Sequence, residues 1–217
     1  MLFICIAKIF KSAFNSFSNW GDFMNKTVEN LAKAFVGESQ ARNRYTFFAS
    51  TAKKEGFEQI SEIFTITADN EREHASWFLK MLLSLKAKSK ENMDVLHIET
   101  DVPVIRGTTL ENLRAAVAGE TEEYTKLYPE FAKVAEQDGY PEIAARIRAI
   151  AVAETHHAER YRKLLEKVEK GTTFKRDKPV YWVCRECGYV HFGTTPPESC
   201  PSCGHDKAFY QLKCEEY

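Results

Sequence analysis

One four-residue pattern occurs twice in this chain, as Glu71-x-x-His74 and Glu154-x-x-His157, and its repetition limits the folds available. A spacing of three sets a carboxylate and an imidazole on one face of an α-helix. The surroundings repeat as well. Gly37-Glu38 recurs as Gly119-Glu120 at an offset of 82, and Tyr45 recurs as Tyr128 and Gly56 as Gly139 at 83. A single Glu-x-x-His arises by chance on many charged helices. Two at equivalent places in a repeat, each matched by one further glutamate, make a strong signal.

Residues 26–171 read as helical in four segments, about 27–54, 58–87, 108–138 and 141–171. Only Glu55-Gly56 separates the first two, which predicts antiparallel neighbours. The non-periodic stretch 88–108, with Pro103 and Gly107, is too long for a hairpin and reads as a crossover. Thr108 and Glu111 have capping-box spacing, and Pro141 suits the first turn of the fourth helix. Two hairpins joined by one crossover predict a mainly α fold, a ferritin-like four-helix bundle.

In such a bundle, Glu38, Glu71, Glu120 and Glu154 with His74 and His157 supply the four carboxylates and two imidazoles of a di-iron carboxylate site. The alternative is a set of solvated surface glutamates. Phe64, Ala68, Ala75 and Phe78 around the first pair, and Ile150, Ala151, Ala158 and Tyr161 around the second, argue for the interior. Unpaired charge there is prohibitive, and a metal pair removes the difficulty. His156 lies about 100° around the helix from His157 and faces elsewhere.

Glu123 breaks the symmetry, because the first half has Ala41 at the matching place. The repeat offset also slips from 82 to 83 between Glu120 and Tyr128, which predicts a π-bulge there. Five glutamates leave a net −1 with two ferrous ions, and again with two ferric ions and an oxo bridge. Tyr45 shares a face with Glu38, and Tyr128 shares one with Glu120 if the bulge is real. Each phenol is either a packing residue or a partner for the carboxylates.

The tail, about 178–217, has a different composition, with aromatic and β-branched residues and Pro196-Pro197. It carries Cys184-x-x-Cys187 and Cys200-x-x-Cys203, a metal pattern rather than a disulfide pattern. About forty residues hold little core, so metal should be needed for folding. Four thiolates suit zinc or iron by geometry, and the spacing fits a zinc ribbon or a rubredoxin. Taken alone, the tail favours structural zinc; a redox-active bundle site upstream reverses this toward iron, which passes single electrons. Tyr181, Trp182, Tyr189 and Phe209 are expected to keep that site dry. Cys5 and Cys214 stand alone.

Thirty basic residues against thirty-one acidic ones give a net charge of −1, so nucleic acid is not an expected partner. No run of eighteen apolar residues occurs, so no membrane span is expected. Residues 1–25 form an N-terminal extension of distinct character. Lys8 and Lys11 follow its apolar run, the reverse of a secretory signal. It reads as a start placed too early, a targeting segment or a genuine extension. Reduced thiols point to a cytoplasmic setting, or to an organelle if residues 1–23 are a targeting signal.

Gly37-Glu38-Ser39-Gln40-Ala41-Arg42-Asn43-Arg44-Tyr45, Glu71-Arg72-Glu73-His74, Gly119-Glu120-Thr121-Glu122-Glu123-Tyr124 and Glu154-Thr155-His156-His157 closely resemble the rubrerythrin family. Cys184-Arg185-Glu186-Cys187-Gly188-Tyr189-Val190-His191 and Cys200-Pro201-Ser202-Cys203 extend the resemblance over about residues 26–213. It implies Glu71 and Glu154 as bridging ligands of two irons, oxo-bridged when oxidised, and Glu38 and Glu120 as terminal ligands. His157 would be a permanent ligand, while Glu123 and His74 would exchange on the other iron, Glu123 when oxidised and His74 when reduced. Tyr45 and Tyr128 would hydrogen-bond the carboxylates.

The implied activity is reduction of hydrogen peroxide to water in defence against oxidative stress. The implied electron source is rubredoxin or an NAD(P)H-dependent reductase, acting through the Fe(Cys)4 site of a homodimer or larger homo-oligomer. Two rival readings predict other observations. A ferroxidase or iron store would hold many irons in a hollow oligomer, and a non-catalytic zinc module would be colourless.

Overall fold

The computed structural model describes residues 25–214. All but the last residue of the expected extension 1–25, with Cys5, lies outside the described residues, as do 215–217. Four helical rods make up the larger part: α1 (Lys26–Lys54), α2 (Glu58–Lys86), a third rod built of α3 (Thr109–Glu122) and α4 (Tyr128–Gln137), and α5 (Pro141–Glu169). Residues 88–107 connect the two hairpins without helix. The fold is the expected ferritin-like bundle. No helix among the described residues is long and apolar enough to cross a membrane.

The repeated glycines close the two hairpin turns. Gly56 and Gly139 have φ of 78° and 85°, a region that side chains with a Cβ rarely enter. Each is followed by the same back-bond, from Phe57 N–H to Ala52 O at 2.9 Å and from Tyr140 N–H to Ala135 O at 2.7 Å. This 6→1 bond occupies a carbonyl that the helix end would leave unpaired. The Thr108–Glu111 capping box forms as expected. Thr27 Oγ1 donates to Asp138 Oδ2 at 2.6 Å, tying the start of the first rod to the end of the third.

Between α3 and α4, residues Glu123–Leu127 form one π turn. The extra residue needed to move the repeat from 82 to 83 is accommodated here.

Two apolar clusters fill the bundle, one toward each end. One gathers Leu31, Phe78, Tyr128, Ala132 and Ile147, and the other Phe48, Ile60, Phe64, Leu113 and Tyr161. Glu38, Glu71, Glu120, Glu154 and His157 are buried along with these clusters.

The tail is a three-stranded antiparallel sheet in the order β2-β1-β3, with β1 Val180–Cys184, β2 Val190–Gly193 and β3 Tyr210–Leu212. Trp182, Cys184, Cys200 and Tyr210 form its core. Side chains alternate across a strand, so burying Trp182 turns Tyr181 outward. Tyr181 is 57% exposed, and Tyr189 is exposed too. This corrects the expectation that both would shield the cysteines; Trp182 and half-buried Phe209 remain. Arg185 docks the tail to the bundle through Glu62 of α2, at 2.5 Å.

Candidate metal centres

The six bundle residues meet as two overlapping sets of donors. Glu38, Glu71, His74 and Glu154 each bring a donor atom within 4.8 Å of the others, and so do Glu71, Glu120, Glu154 and His157. Glu71 and Glu154 belong to both sets, while Glu38 and Glu120 belong to one each. The single glutamates come from α1 and α3, and the Glu-x-x-His pairs come from α2 and α5. The two imidazoles lie 5.9 Å apart between ring centroids.

His157 Nδ1 lies 2.7 Å from Glu154 Oε2, 3.3 Å from Glu71 Oε1 and 3.5 Å from Glu120 Oε2. His74 Nδ1 lies 2.8 Å from Glu154 Oε1 and 3.0 Å from Glu71 Oε2. Most of these approaches lack hydrogen-bond geometry. Glu38 Oε2, Glu71 Oε1, Glu120 Oε2, both Glu154 oxygens and His157 Nδ1 are buried without a hydrogen-bond partner. A single orphan of this kind costs about 1–3 kcal/mol. Six converging at short range are lone pairs aimed at common points, and two divalent cations satisfy them together. The hard carboxylates with imidazole suit iron or manganese.

The tyrosines have a role that sequence spacing did not reveal. Tyr45, from the first half, donates its hydroxyl to Glu120 Oε1 of the second at 2.5 Å. Tyr128 of the second half donates to Glu38 Oε1 of the first. The shared-face reading left open whether each phenol packs or pairs with a carboxylate, and the antiparallel rods carry each bond across to the glutamate of the other half. Each phenol pins one oxygen of Glu120 or Glu38 and leaves the other, Oε2, without a hydrogen-bond partner.

Glu123 opens the π turn and is half-buried, outside both donor sets. Burial and the charges of Glu120, Glu154 and Glu71 hold its carboxyl well above the usual range, opposed by Arg44. His156 is exposed, as expected.

Without ions, protons carry the compensating positive charge. Burial and the neighbouring Glu154, Glu71 and Glu123 raise Glu38 well above 4.5, and burial takes Glu120 up to about 8. Burial works against charged imidazole, yet the glutamate oxygens crowded around each ring outweigh it. They hold His74 at about 9 and His157 at about 12. Glu154 goes the other way. Burial pushes it up, but both histidines bring it down to about 2.

In the tail, the four Sγ atoms lie within 4.8 Å of one another, with Cys184–Cys203 and Cys187–Cys200 both at 3.7 Å. A tetrahedron with metal–sulfur bonds of ~2.3 Å has edges of roughly 3.8 Å, so the spacing suits one ion. Gly188 and Gly204, with φ of 77° and 75°, follow the second cysteine of each knuckle and turn the chain back. Each donates its N–H to the first cysteine's carbonyl, at 2.9 and 2.8 Å. Cys184 and Cys200 are buried, whereas Cys187 is exposed and Cys203 half-buried, so one edge of the site meets solvent. Burial pushes the Cys200 thiol up, but the Tyr210 hydroxyl and the N–H groups of Cys203 and Ser202 bring it down to about 6. Tyr210 was not singled out in the sequence, although its place in a strand beside four cysteines was a usable signal. Cys214 is exposed and outside the cluster.

Comparison with known proteins agrees with this geometry. The rubrerythrin family model matches residues 29–165, and the model for the rubrerythrin rubredoxin-like domain matches 182–211. A rubrerythrin-type protein of Methanocaldococcus jannaschii is 55% identical over 89% of this chain and 96% of its own length. Rubrerythrin-1 of Clostridium acetobutylicum is 48% identical over 88% and 96%. Rubrerythrin of Nitratidesulfovibrio vulgaris is 46% identical over 87% and 94%. Among solved structures, partially reduced nigerythrin aligns over 90% of both chains with a TM-score of 0.56 and 27% identity. With di-iron ligand sets in its bundle and a rubredoxin-like four-cysteine site in its tail, the chain belongs to the rubrerythrin family.

Proposed function

We propose that this protein is a non-haem di-iron peroxidase that reduces hydrogen peroxide, H2O2 + 2e− + 2H+ → 2H2O. Residues 26–171 would form the di-iron domain and residues 178–217 the electron-relay domain. The observation carrying this reading is two donor sets that share Glu71 and Glu154 in one chain with a tetrathiolate site. When bound, two irons held close together supply the two electrons that O–O cleavage requires, and an iron tetrathiolate resupplies them singly.

The protein fixes the spacing. Glu71 and Glu154 would bridge, Glu38 and Glu120 would each hold one ion, and His157 would stay bound on the Glu120 side. On the Glu38 side His74 would alternate with Glu123, and the π turn gives Glu123 its place. Tyr45 and Tyr128 keep protons at Glu120 Oε1 and Glu38 Oε1, so the unpartnered Oε2 atoms would be the ones to hold the ions. The apolar clusters exclude bulk water, which strengthens each of these interactions. Electrons from rubredoxin or an NAD(P)H-dependent reductase would enter at the solvent-facing Cys187 edge. The thiolates need a reducing compartment, so we place the protein in the cytoplasm.

Metal analysis with the visible spectrum, on protein purified without oxygen, tests this reading. Expected are two irons per bundle, one red ferric tetrathiolate per tail, and steady consumption of peroxide when a reductant is supplied. Zinc at both sites, or iron without peroxide turnover, overturns it. Cys187→Ala should abolish steady turnover while the pre-reduced bundle still reacts once with peroxide.

A further inference from the structure

At the seam between bundle and tail, a cavity of about 50 Å³ is lined by Gln59, Lys167, Thr173, Arg176, Gln211 and Trp182. No aspartate or glutamate lines it. Lys167 and Arg176 form no ion pair among the described residues. Burial and the charge of Arg176 both work against the Lys167 ammonium, with Glu166 opposing weakly. Glu166 is already bound to Lys170 at 2.5 Å.

The other polar groups are also ready to donate. Thr173 Oγ1 is buried without a partner. Gln211 accepts from Arg185 through its amide oxygen, which leaves its NH2 group free to donate. Arg176 is held in place by 2.6 Å bonds from one guanidinium nitrogen to the carbonyls of Thr172 and Lys175. Its guanidinium carbon lies 5.3 Å from the centroid of the Trp182 ring.

Two cations without a counter-ion, an orphan hydroxyl and two carboxamides thus surround one enclosed space. We infer that this space binds a small tetrahedral inorganic oxyanion of the sulfate–phosphate class. A single water needs ~10–15 Å³, so the cavity takes several waters or one such anion and excludes a nucleotide or a lipid headgroup. Bound there, the anion joins α2 and α5 of the bundle to β1 and β3 of the tail. It adds to the hold on the four-cysteine site, to which the Arg185–Glu62 pair contributes weakly.

Isothermal titration of sodium sulfate into the metal-loaded protein tests the proposal, with sodium chloride at equal ionic strength as background. Sulfate is chosen because phosphate also ligates ferric ions. Expected is one saturable sulfate site per chain, weakened at least about tenfold by Lys167→Met and unchanged by Lys133→Met on the distant α4. Thr173→Val removes only the orphan hydroxyl and should weaken binding severalfold with both charges retained. Visible spectra of all variants should match wild type, which separates loss of the anion site from loss of fold. No saturable uptake above the chloride background, or full binding by both Lys167→Met and Thr173→Val, overturns the proposal. Neither readout depends on peroxide turnover, so the result is independent of the peroxidase reading.

Discussion

The two halves of the bundle carry the same ligands in the same order, yet they differ at one end of the site. In the second half His157 is almost fully enclosed, its side chain 4% exposed. In the first half, His74 is 12% exposed. The second half also carries the π turn with Glu123, where the first half has buried Ala41 in an unbroken helix. Repetition places the two ions, since each hairpin contributes one single glutamate and one Glu-x-x-His pair. Under the proposed function, the departure from repetition is where a ligand would change. A fully symmetric site would hold its ions as firmly and offer no exchange.

The largest effect should come from breaking what the halves share. Glu71 and Glu154 each serve both donor sets, so Glu71→Ala or Glu154→Ala should empty the pair rather than half of it. Bundle iron should fall from two per chain toward none, with peroxide turnover down by at least about 100-fold. The four-cysteine iron should remain, seen as an unchanged red absorption. Retention of one bundle iron at full affinity would show that the sets act independently.

Glu123→Ala sharpens the contrast. Because Glu123 lies outside both sets, the variant should keep both ions while kcat falls on the order of tenfold to a hundredfold. Loss of iron would make Glu123 a structural ligand and remove the asymmetry from the mechanism.

How much of this was readable beforehand depends on distance along the chain. The Glu-x-x-His pairs, the capping box and the turn glycines are local, and helical periodicity fixes their geometry. Even the π turn left a mark, the one-residue slip between Glu120 and Tyr128. Crossed pairing of Tyr45 with Glu120 and Tyr128 with Glu38 was not readable. Seven-residue spacing reports a shared face within one helix, whereas the bond is made to whichever rod faces it across the bundle. The exposure of Tyr181 and Tyr189 was missed for a related reason. In a short sheet the strand register decides which aromatic is buried, and composition does not report register.

Crossed pairing makes its own prediction. Tyr45→Phe should weaken the ion held with Glu120 and His157, and Tyr128→Phe the ion held with Glu38 and His74. Each loses a hydrogen bond to a charged group worth about 1.5–3 kcal/mol, so affinity for that ion should drop roughly tenfold or more. Chelator competition followed by iron spectroscopy distinguishes the two positions. If each variant instead loosened the ion of its own half, the crossing would be wrong.

The smallest effect concerns protons in the metal-stripped protein. Folded Glu120 is held at about 8 against an ordinary 4.5, and folded His74 at about 9 against 6.5. The folded state therefore binds more protons than the unfolded chain, and its stability must fall as pH rises. Glu120 contributes that loss between about pH 4.5 and 8, and His74 between about 6.5 and 9. Glu154, held at about 2, acts oppositely, but its contribution is complete above about pH 4.5 and is lost only toward acid. Ion binding needs ionised glutamates and neutral imidazoles, so it displaces these protons and strengthens with pH. Melting temperatures of the stripped protein should decline from about pH 5 to 9, while the gain on adding ferrous iron grows over the same range. The decline should persist in Glu123→Ala and become shallower in His74→Gln with Glu120→Gln, which remove two of the contributing groups and leave Glu38 and His157. Parallel curves for stripped and loaded protein would mean that the protons and the metals do not compete for the same atoms.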